Sequence, residues 1–172
     1  MDTSPNVIYL ARPYQYFTTS NSTKEHVKYW TTHRFSQEII EAYEEAVDNI
    51  SDMTGSEDIH LVGYSGGGAV AAILASKRKV GSLRTIAGYL DHVALNKEKN
   101  YSPLFGSLDP ILFAPKLHSI PQTHYVGLSD TVIPEWVVER FVSSVGNKEK
   151  AKLYRVDASH ESGWVQFWKF NH

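Results

Sequence analysis

The chain has 172 residues, enough for one domain with a single core, and we expect that domain to span residues 1–172. With 42% hydrophobic and 21% charged residues, the composition excludes disordered and collagen-like chains. The formal net charge is −2 and no basic tract is longer than residues 77–79, so the sequence does not predict nucleic-acid binding.

Cysteine is absent, which excludes disulfides, thiolate chemistry and cysteine-bound zinc. The longest apolar run, residues 69–75, is far shorter than the roughly 18 residues that a membrane span requires, so no membrane span is expected. The first residues lack the basic and apolar regions of a signal peptide. The compartment therefore stays open, with the cytoplasm as the default and an exported precursor as the alternative.

The first part of the chain predicts a strand, a loop and a helix. Residues 7–10 are Val-Ile-Tyr-Leu, an apolar run typical of a strand buried on both faces of a parallel sheet. Residues 11–32 are rich in Pro, Tyr, Ser, Thr and Asn and predict a long loop. Ser36 is a good N-cap for a helix over residues 37–50, where apolar side chains recur at helical spacing.

Strands and helices then alternate to the end of the chain. The patterns predict strands at residues 59–64, 83–87, 124–127 and 153–156, and helices at residues 69–75, 134–145 and 164–170. Residues 89–122, which include the helix-start pair Asp109-Pro110, are long enough to form a small lid. This alternation is typical of an α/β fold with a mostly parallel sheet and helices on both faces.

One short motif indicates nucleophilic chemistry. Gly63-Tyr64-Ser65-Gly66-Gly67 matches G-x-S-x-G and lies between a predicted strand and a predicted helix, where that motif holds a serine on a strained turn. The structural alternative is a glycine turn that only caps a helix. Because neither G-x-x-x-x-G-K-[ST] nor G-x-G-x-x-G is present, a phosphate cradle at these glycines is a weak hypothesis.

A serine nucleophile needs a histidine to take its proton and a carboxylate to orient that histidine. Asp130 follows the predicted strand at 124–127, and His160 follows the last predicted strand. Because the carboxyl ends of parallel strands share one edge of a sheet, we expect Ser65, His160 and Asp130 to converge there. The structural alternatives are a turn carboxylate for Asp130 and a surface loop histidine for His160. Asp91 and His92, which follow the predicted strand at 83–87, are rivals for the acid and for the base.

Aromatic side chains near these elements are candidates for an apolar acyl pocket. They are Tyr14 and Tyr16 in the first loop, Tyr64 in the motif, and Trp164 after the last predicted strand. A place in the core or on the surface suits them equally well.

These segments resemble the α/β-hydrolase superfamily and, more narrowly, bacterial serine hydrolases that share an Ala-Arg-Pro-x-Gln-Tyr segment and a Gly-Tyr-Ser-Gly-Gly-Gly elbow. The matching stretches are residues 9–13, 15–16, 29–35, 60–68, 87–88 and 90–92. The group often has cysteine where Tyr14 stands. The resemblance covers essentially the whole chain and implies an ester or related acyl hydrolase, without identifying the small acyl substrate. We expect no metal and no cofactor.

Members of that group begin with further strands and a glycine-rich loop ahead of the position of Val7, so the chain is expected to be short at its N-terminus. In this fold one oxyanion N–H comes from the residue after the nucleophile, here Gly66, and a second comes from that loop. We therefore expect weak turnover, or alternatively a noncatalytic binding protein. An exposed sheet edge would also favour pairing with a second copy of the chain, or would be covered by residues 11–32.

Overall fold

The structure is a computed structural model that describes residues 6–14 and 24–171. The elements within these ranges are a first 3-10 helix (Lys24–Trp30), α1 (Gln37–Thr54), β1 (His60–Tyr64), α2 (Gly66–Ala75), β2 (Ser82–Ile86), α3 (His92–Lys99), a second 3-10 helix (Pro110–Leu117), β3 (Gln122–Gly127), α4 (Glu135–Val145), β4 (Ala151–Val156) and α5 (Trp164–Asn171).

The four strands form one parallel sheet in the order β1-β2-β3-β4. A cross-strand row of Tyr64, Ile86, Tyr125 and Tyr154 marks the register near the carboxyl ends of the strands. The predicted α/β fold with a parallel sheet is therefore confirmed. Because all four strands run in the same direction, the loops that follow them meet at one edge of the sheet.

Amphipathic helices cover one face of this sheet and form the main core. In α4 the predicted apolar stripe is buried, namely Val137, Val138, Phe141 and Val145. That helix ends at Gly146, whose φ of 74° is the left-handed conformation typical of a residue that terminates a helix. Helix α2 is buried along almost its whole length because it packs against β1 and β2 beneath α1.

Helix α5 covers part of the other face. Its Trp164, Phe167 and Trp168 pack against Tyr125 and Val156 of the sheet. On the same face, side chains nearer the sheet margins are solvent-exposed, among them Val62 at 47% and Tyr154 at 51%. Helices therefore lie on both faces, but they cover the two faces unequally.

The predicted strand at residues 7–10 is wrong. These residues adopt no regular structure, and their side chains are exposed, with Ile8 at 51% and Tyr9 at 84%. A strand needs a hydrogen-bonded neighbour, and within the described residues β1 pairs only with β2. An apolar composition alone is therefore not sufficient to predict a strand at residues 7–10. The predicted loop at 11–32 contains the first 3-10 helix, and its residues 15–23 lie outside the described ranges.

The segment at 89–122 contains α3 and the second 3-10 helix. Its Leu90, Leu95, Ala114 and Leu117 are buried in the main core. Its role as a lid stays a prediction, as does pairing of the β1 edge with a second copy. Within the described ranges, no helix is both long and apolar enough to cross a membrane.

Candidate active site

Ser65 occupies a strained turn between β1 and α2. Its backbone angles are φ 51° and ψ −118°, a conformation that non-glycine residues rarely adopt. Two backbone hydrogen bonds hold the turn: the Ser65 N–H donates to the Ile86 carbonyl at 2.8 Å, and the Tyr89 N–H donates to the Ser65 carbonyl at 3.0 Å. The neighbouring strand β2 and the loop after it therefore fix the position of the serine.

Two glycines make this turn sterically feasible. A Cβ on Gly63 would lie 2.2 Å from the carbonyl oxygen of Gly67, and a Cβ on Gly68 would lie 2.9 Å from the Cα of Gly88. A Cβ on Gly67 would meet nothing within 4 Å. The close approach of strand and helix therefore depends on Gly63 and Gly68 rather than on Gly67.

The structure brings Ser65, His160 and Asp130 together. The His160 Nε2 atom lies 3.1 Å from Ser65 Oγ, and His160 Nδ1 lies 2.9 Å from Asp130 Oδ2. An ionised carboxylate can only accept hydrogen bonds, so Nδ1–H donates to Asp130 and leaves Nε2 to accept from the serine hydroxyl. The Asp130 side chain is fully buried and the His160 side chain is 14% exposed.

The second oxygen of Asp130 is held by its own turn. Its Oδ1 accepts hydrogen bonds from the N–H groups of Val132 and Ile133, both at 2.9 Å. Asp130 therefore stabilises the turn after β3 and contacts His160 at the same time. The two interpretations of this residue, as turn carboxylate and as orienting acid, are both compatible with the geometry.

Two of the predicted pocket residues contact His160. Its carbonyl oxygen accepts hydrogen bonds from the Tyr64 hydroxyl at 2.5 Å and from the Trp164 indole N–H at 3.0 Å. The Tyr64 and His160 rings also lie 5.4 Å apart. Burial and the negative charges of Asp130 and Glu161 raise the pKa of Tyr64, which keeps its hydroxyl protonated as a donor. Both side chains therefore restrain the loop that carries His160.

Of the other two predicted pocket residues, the structure describes Tyr14 alone. Tyr14 stacks on Tyr29 with ring centroids 4.6 Å apart, and the Tyr14 carbonyl accepts from the Trp30 indole N–H at 2.7 Å. Tyr16 lies outside the described residues. A role for these four aromatic residues in binding an acyl group stays a prediction.

Gly66, the predicted oxyanion donor, is the first residue of α2, so its N–H has no acceptor within the helix. The backbone hydrogen bonds between described residues do not use this N–H either. Arg12 lies beside it, with Nη2 3.2 Å from the position of a Cβ on Gly66. Sequence reasoning missed this neighbour. The expectation that a second donor is missing depends on a strand at residues 7–10, and the structure has no strand there.

The rival acid, Asp91, is used elsewhere. One of its oxygens accepts from the Ala94 N–H at 3.0 Å and caps α3, and the other lies 2.7 Å from Nε of Arg140. The neighbouring His92 places its Nε2 3.1 Å from the Leu108 carbonyl. In the described part of the chain, no three His, Asp or Glu side chains are grouped so that they could hold a metal ion.

Solved structures share this fold. An esterase of Pyrococcus furiosus is similar with a TM-score of 0.61 and 20% identity, over 78% of this chain and 58% of that chain. An α/β-hydrolase enzyme from the metagenome of lagoon sediments at Mar Chica, Morocco, is similar with a TM-score of 0.57 and 21% identity, over 77% of this chain and 66% of that chain. An alpha-beta serine hydrolase homologue from Coxiella burnetii is similar with a TM-score of 0.56 and 19% identity, over 76% of this chain and 55% of that chain. This chain has the α/β-hydrolase fold and spans between 55% and 66% of the length of these three proteins.

None of the proteins with curated descriptions matches this sequence. The family described as serine hydrolase (FSH1) matches residues 5–161. That match covers most of the chain and includes Ser65, Asp130 and His160. The chain belongs to the serine hydrolase (FSH1) family.

Proposed function

We propose that this protein hydrolyses carboxylic esters or related acyl substrates through a catalytic triad of Ser65, His160 and Asp130. The observation that carries the proposal is the continuous line of hydrogen bonds from Ser65 Oγ through both nitrogens of His160 to the buried Asp130 carboxylate. Membership of a serine hydrolase family and the esterase named among the similar structures support the same reaction class.

In the acylation step, Ser65 Oγ attacks the ester carbonyl carbon while His160 Nε2 takes the hydroxyl proton. Asp130 holds Nδ1–H and stabilises the imidazolium that results. The Gly66 N–H donates to the oxyanion of the tetrahedral intermediate. When the intermediate collapses, the bond to the leaving oxygen breaks and His160 returns the proton to the departing alcohol.

In the deacylation step, His160 takes a proton from water, and the resulting hydroxide attacks the acyl group on Ser65. A second tetrahedral intermediate breaks its bond to Ser65 Oγ, which recovers the proton from His160. The products are the carboxylic acid and the alcohol.

A fluorophosphonate probe tests the proposal because it modifies activated serines. We expect labelling of the wild-type protein, no labelling of Ser65→Ala, and unchanged labelling of Ser129→Ala, a control at an exposed serine. Hydrolysis of p-nitrophenyl esters of increasing acyl length then identifies the preferred acyl group. If the folded wild-type protein were not labelled, the triad proposal would be wrong and the noncatalytic binding protein would be favoured.

A further inference from the structure

Two arginines border the turn that carries the nucleophile. Arg12 Nη2 and the Phe35 ring both approach the Cβ position of Gly66, at 3.2 and 3.5 Å. The Arg34 guanidinium lies 5.8 Å from the centroid of the same Phe35 ring. Both cations are therefore close to the first turn of α2, next to the proposed nucleophile Ser65.

Neither cation forms an ion pair with a side chain that the structure describes. Arg78, Arg140 and Arg155 each form an ion pair with an aspartate or a glutamate. Among the residues that the structure describes, Arg12 and Arg34 form none, and the buried Nε of Arg34 has no hydrogen-bond partner. Burial, together with the like charge of Arg12, lowers the pKa of Arg34. Two neighbouring guanidinium groups repel each other, and a bound anion would remove that unfavourable interaction.

The polar groups around the pair do not supply the missing charge. Burial raises the pKa of both Tyr43 and Tyr89, so these hydroxyls stay neutral. The Tyr89 hydroxyl donates to Asn96. The carboxylate of Asp109 accepts from backbone N–H groups of α3, at 3.2 and 3.4 Å, rather than from either arginine.

We propose that Arg12 and Arg34 form an anion subsite beside Ser65, and that the preferred substrates are esters carrying a carboxylate close to the scissile bond. The planar, permanently charged guanidinium matches the two oxygens of a carboxylate, and a pair of them bordering the nucleophile turn would orient the ester for attack. This inference rests on the proposed hydrolase function. The carboxylate belongs either to the acyl part or to the alcohol part of the ester, and matched substrates distinguish the two.

The kinetic test compares kcat/KM for two matched pairs of esters. p-Nitrophenyl hemisuccinate against p-nitrophenyl valerate places the charge on the acyl part, and 4-acetoxybenzoate against its methyl ester places the charge on the leaving group. We expect the wild-type protein to prefer the anionic member of one pair, and that pair identifies the part of the ester that is bound. Arg12→Gln and Arg34→Gln should each lower this preference by about ten- to hundredfold, since a hydrogen bond to a charged group is lost.

Two further variants separate recognition from net charge. Lys148→Gln removes one positive charge at an exposed residue away from the site and should leave the preference unchanged. Arg12→Lys should retain part of the preference, because it keeps the charge and loses the planar fork. Raising the ionic strength should also weaken the preference in the wild-type protein.

Calorimetry of the Ser65→Ala protein provides a readout that does not depend on hydrolysis. We expect saturable binding of monomethyl succinate, none of neutral dimethyl succinate, and loss of binding when Arg12→Gln is added. If monomethyl succinate binds in this way and no ester is hydrolysed, the subsite stands and the hydrolase proposal fails. If monomethyl succinate does not bind and neither anionic ester is preferred, or if Lys148→Gln acts as strongly as Arg12→Gln, the subsite is wrong.

Discussion

Two aspartate–histidine groups past the carboxyl ends of the strands differ in their partners, since Asp130 with His160 contacts a serine and Asp91 with His92 does not within the described residues. Asp130 gives one oxygen to its own turn and the other to His160. Asp91 gives one oxygen to the first turn of α3 and the other to Arg140. Both aspartates therefore use one oxygen locally, and the groups differ in the partner of the second oxygen, which is His160 for Asp130 and Arg140 for Asp91.

The two histidines differ in the same way. The His160 side chain is 14% exposed, and its two ring nitrogens connect an acid with a hydroxyl. The whole residue His92 is only 1% exposed, and its Nε2 lies against a backbone carbonyl. Its buried Nδ1 has no hydrogen-bond partner in the part of the chain that the structure describes. In the proposed reaction a proton on His160 is exchanged with the substrate at the sheet edge, whereas His92 packs in the interior.

The largest effect is expected from Asp130→Asn. The amide would favour the wrong tautomer of His160 and would not stabilise the imidazolium, so kcat/KM for an ester should fall by about 10⁴-fold. Asp157→Asn, at an exposed carboxylate between β4 and His160, should leave kcat/KM within about twofold of the wild-type value, since surface changes away from such sites have small effects. Steady-state kinetics on one p-nitrophenyl ester measure kcat/KM for both variants. Equal losses in the two variants would contradict the assignment of the acid.

Acid should act on the interior through a third histidine. Burial lowers the pKa of His124 to about 3, whereas an unfolded chain titrates near 6.5. Between these two values only the unfolded state binds the proton, so stability falls as the pH falls through this window. From pH 7 to pH 5 we expect the free energy of unfolding to drop by about 2 kcal/mol from this group.

Urea denaturation at the two pH values measures this drop. His124→Gln should reduce the difference between pH 7 and pH 5 by about that amount, whatever its effect on stability at pH 7. His118→Gln, at an exposed histidine, should retain the wild-type difference. The same acid sensitivity in wild type and in His124→Gln would show that another group is responsible.

Removing the rival acid should cost stability rather than activity. Asp91→Ala deletes the side-chain cap of α3 and leaves Arg140, whose side chain is 57% exposed, without its ion pair. We expect the free energy of unfolding to fall by about 1 to 2 kcal/mol, mostly from the lost cap. The value of kcat/KM should stay within about threefold of wild type, because Asp91 does not contact His160. A loss comparable to that of Asp130→Asn would remove the distinction between the two groups.

Local patterns in the sequence predicted the strands and the residues that follow them. Apolar periodicity located β1 to β4 within two residues of their bounds, and parallel strands necessarily bring their carboxyl ends to one edge. The residues that follow three of these strands are Ser65, Asp130 and His160. Predicting that these three residues converge therefore required only the order of the strands and helices along the chain.

Contacts between distant segments could not be predicted in this way. Residues 7–10 have the composition of a strand, but strand formation depends on a neighbour that composition does not reveal. The clash that excludes a side chain at Gly68 involves Gly88, and the approach of Arg12 to Gly66 links segments far apart in the chain. Tyr64 and Trp164 both donate to the His160 carbonyl, and this contact depends on the loop after β4.

The smallest effect concerns Tyr64, whose hydroxyl donates to the carbonyl of His160. Tyr64→Phe removes one neutral hydrogen bond worth about 1 kcal/mol, while Trp164 still donates to the same carbonyl, so we expect kcat to fall by about three- to tenfold. If Tyr64 only positions His160, KM should stay unchanged for every acyl length in a series of p-nitrophenyl esters.

A tyrosine that lined the acyl pocket would behave differently in that series. KM would then change with acyl length and kcat would change little, because uniform binding energy affects KM rather than the chemical step. Tyr154→Phe is the matched control, since Tyr154 lies in the same cross-strand row at the far edge of the sheet and is 51% exposed. It should leave both constants unchanged. A fall in kcat that is specific to Tyr64→Phe therefore separates the positioning of the base from the binding of substrate.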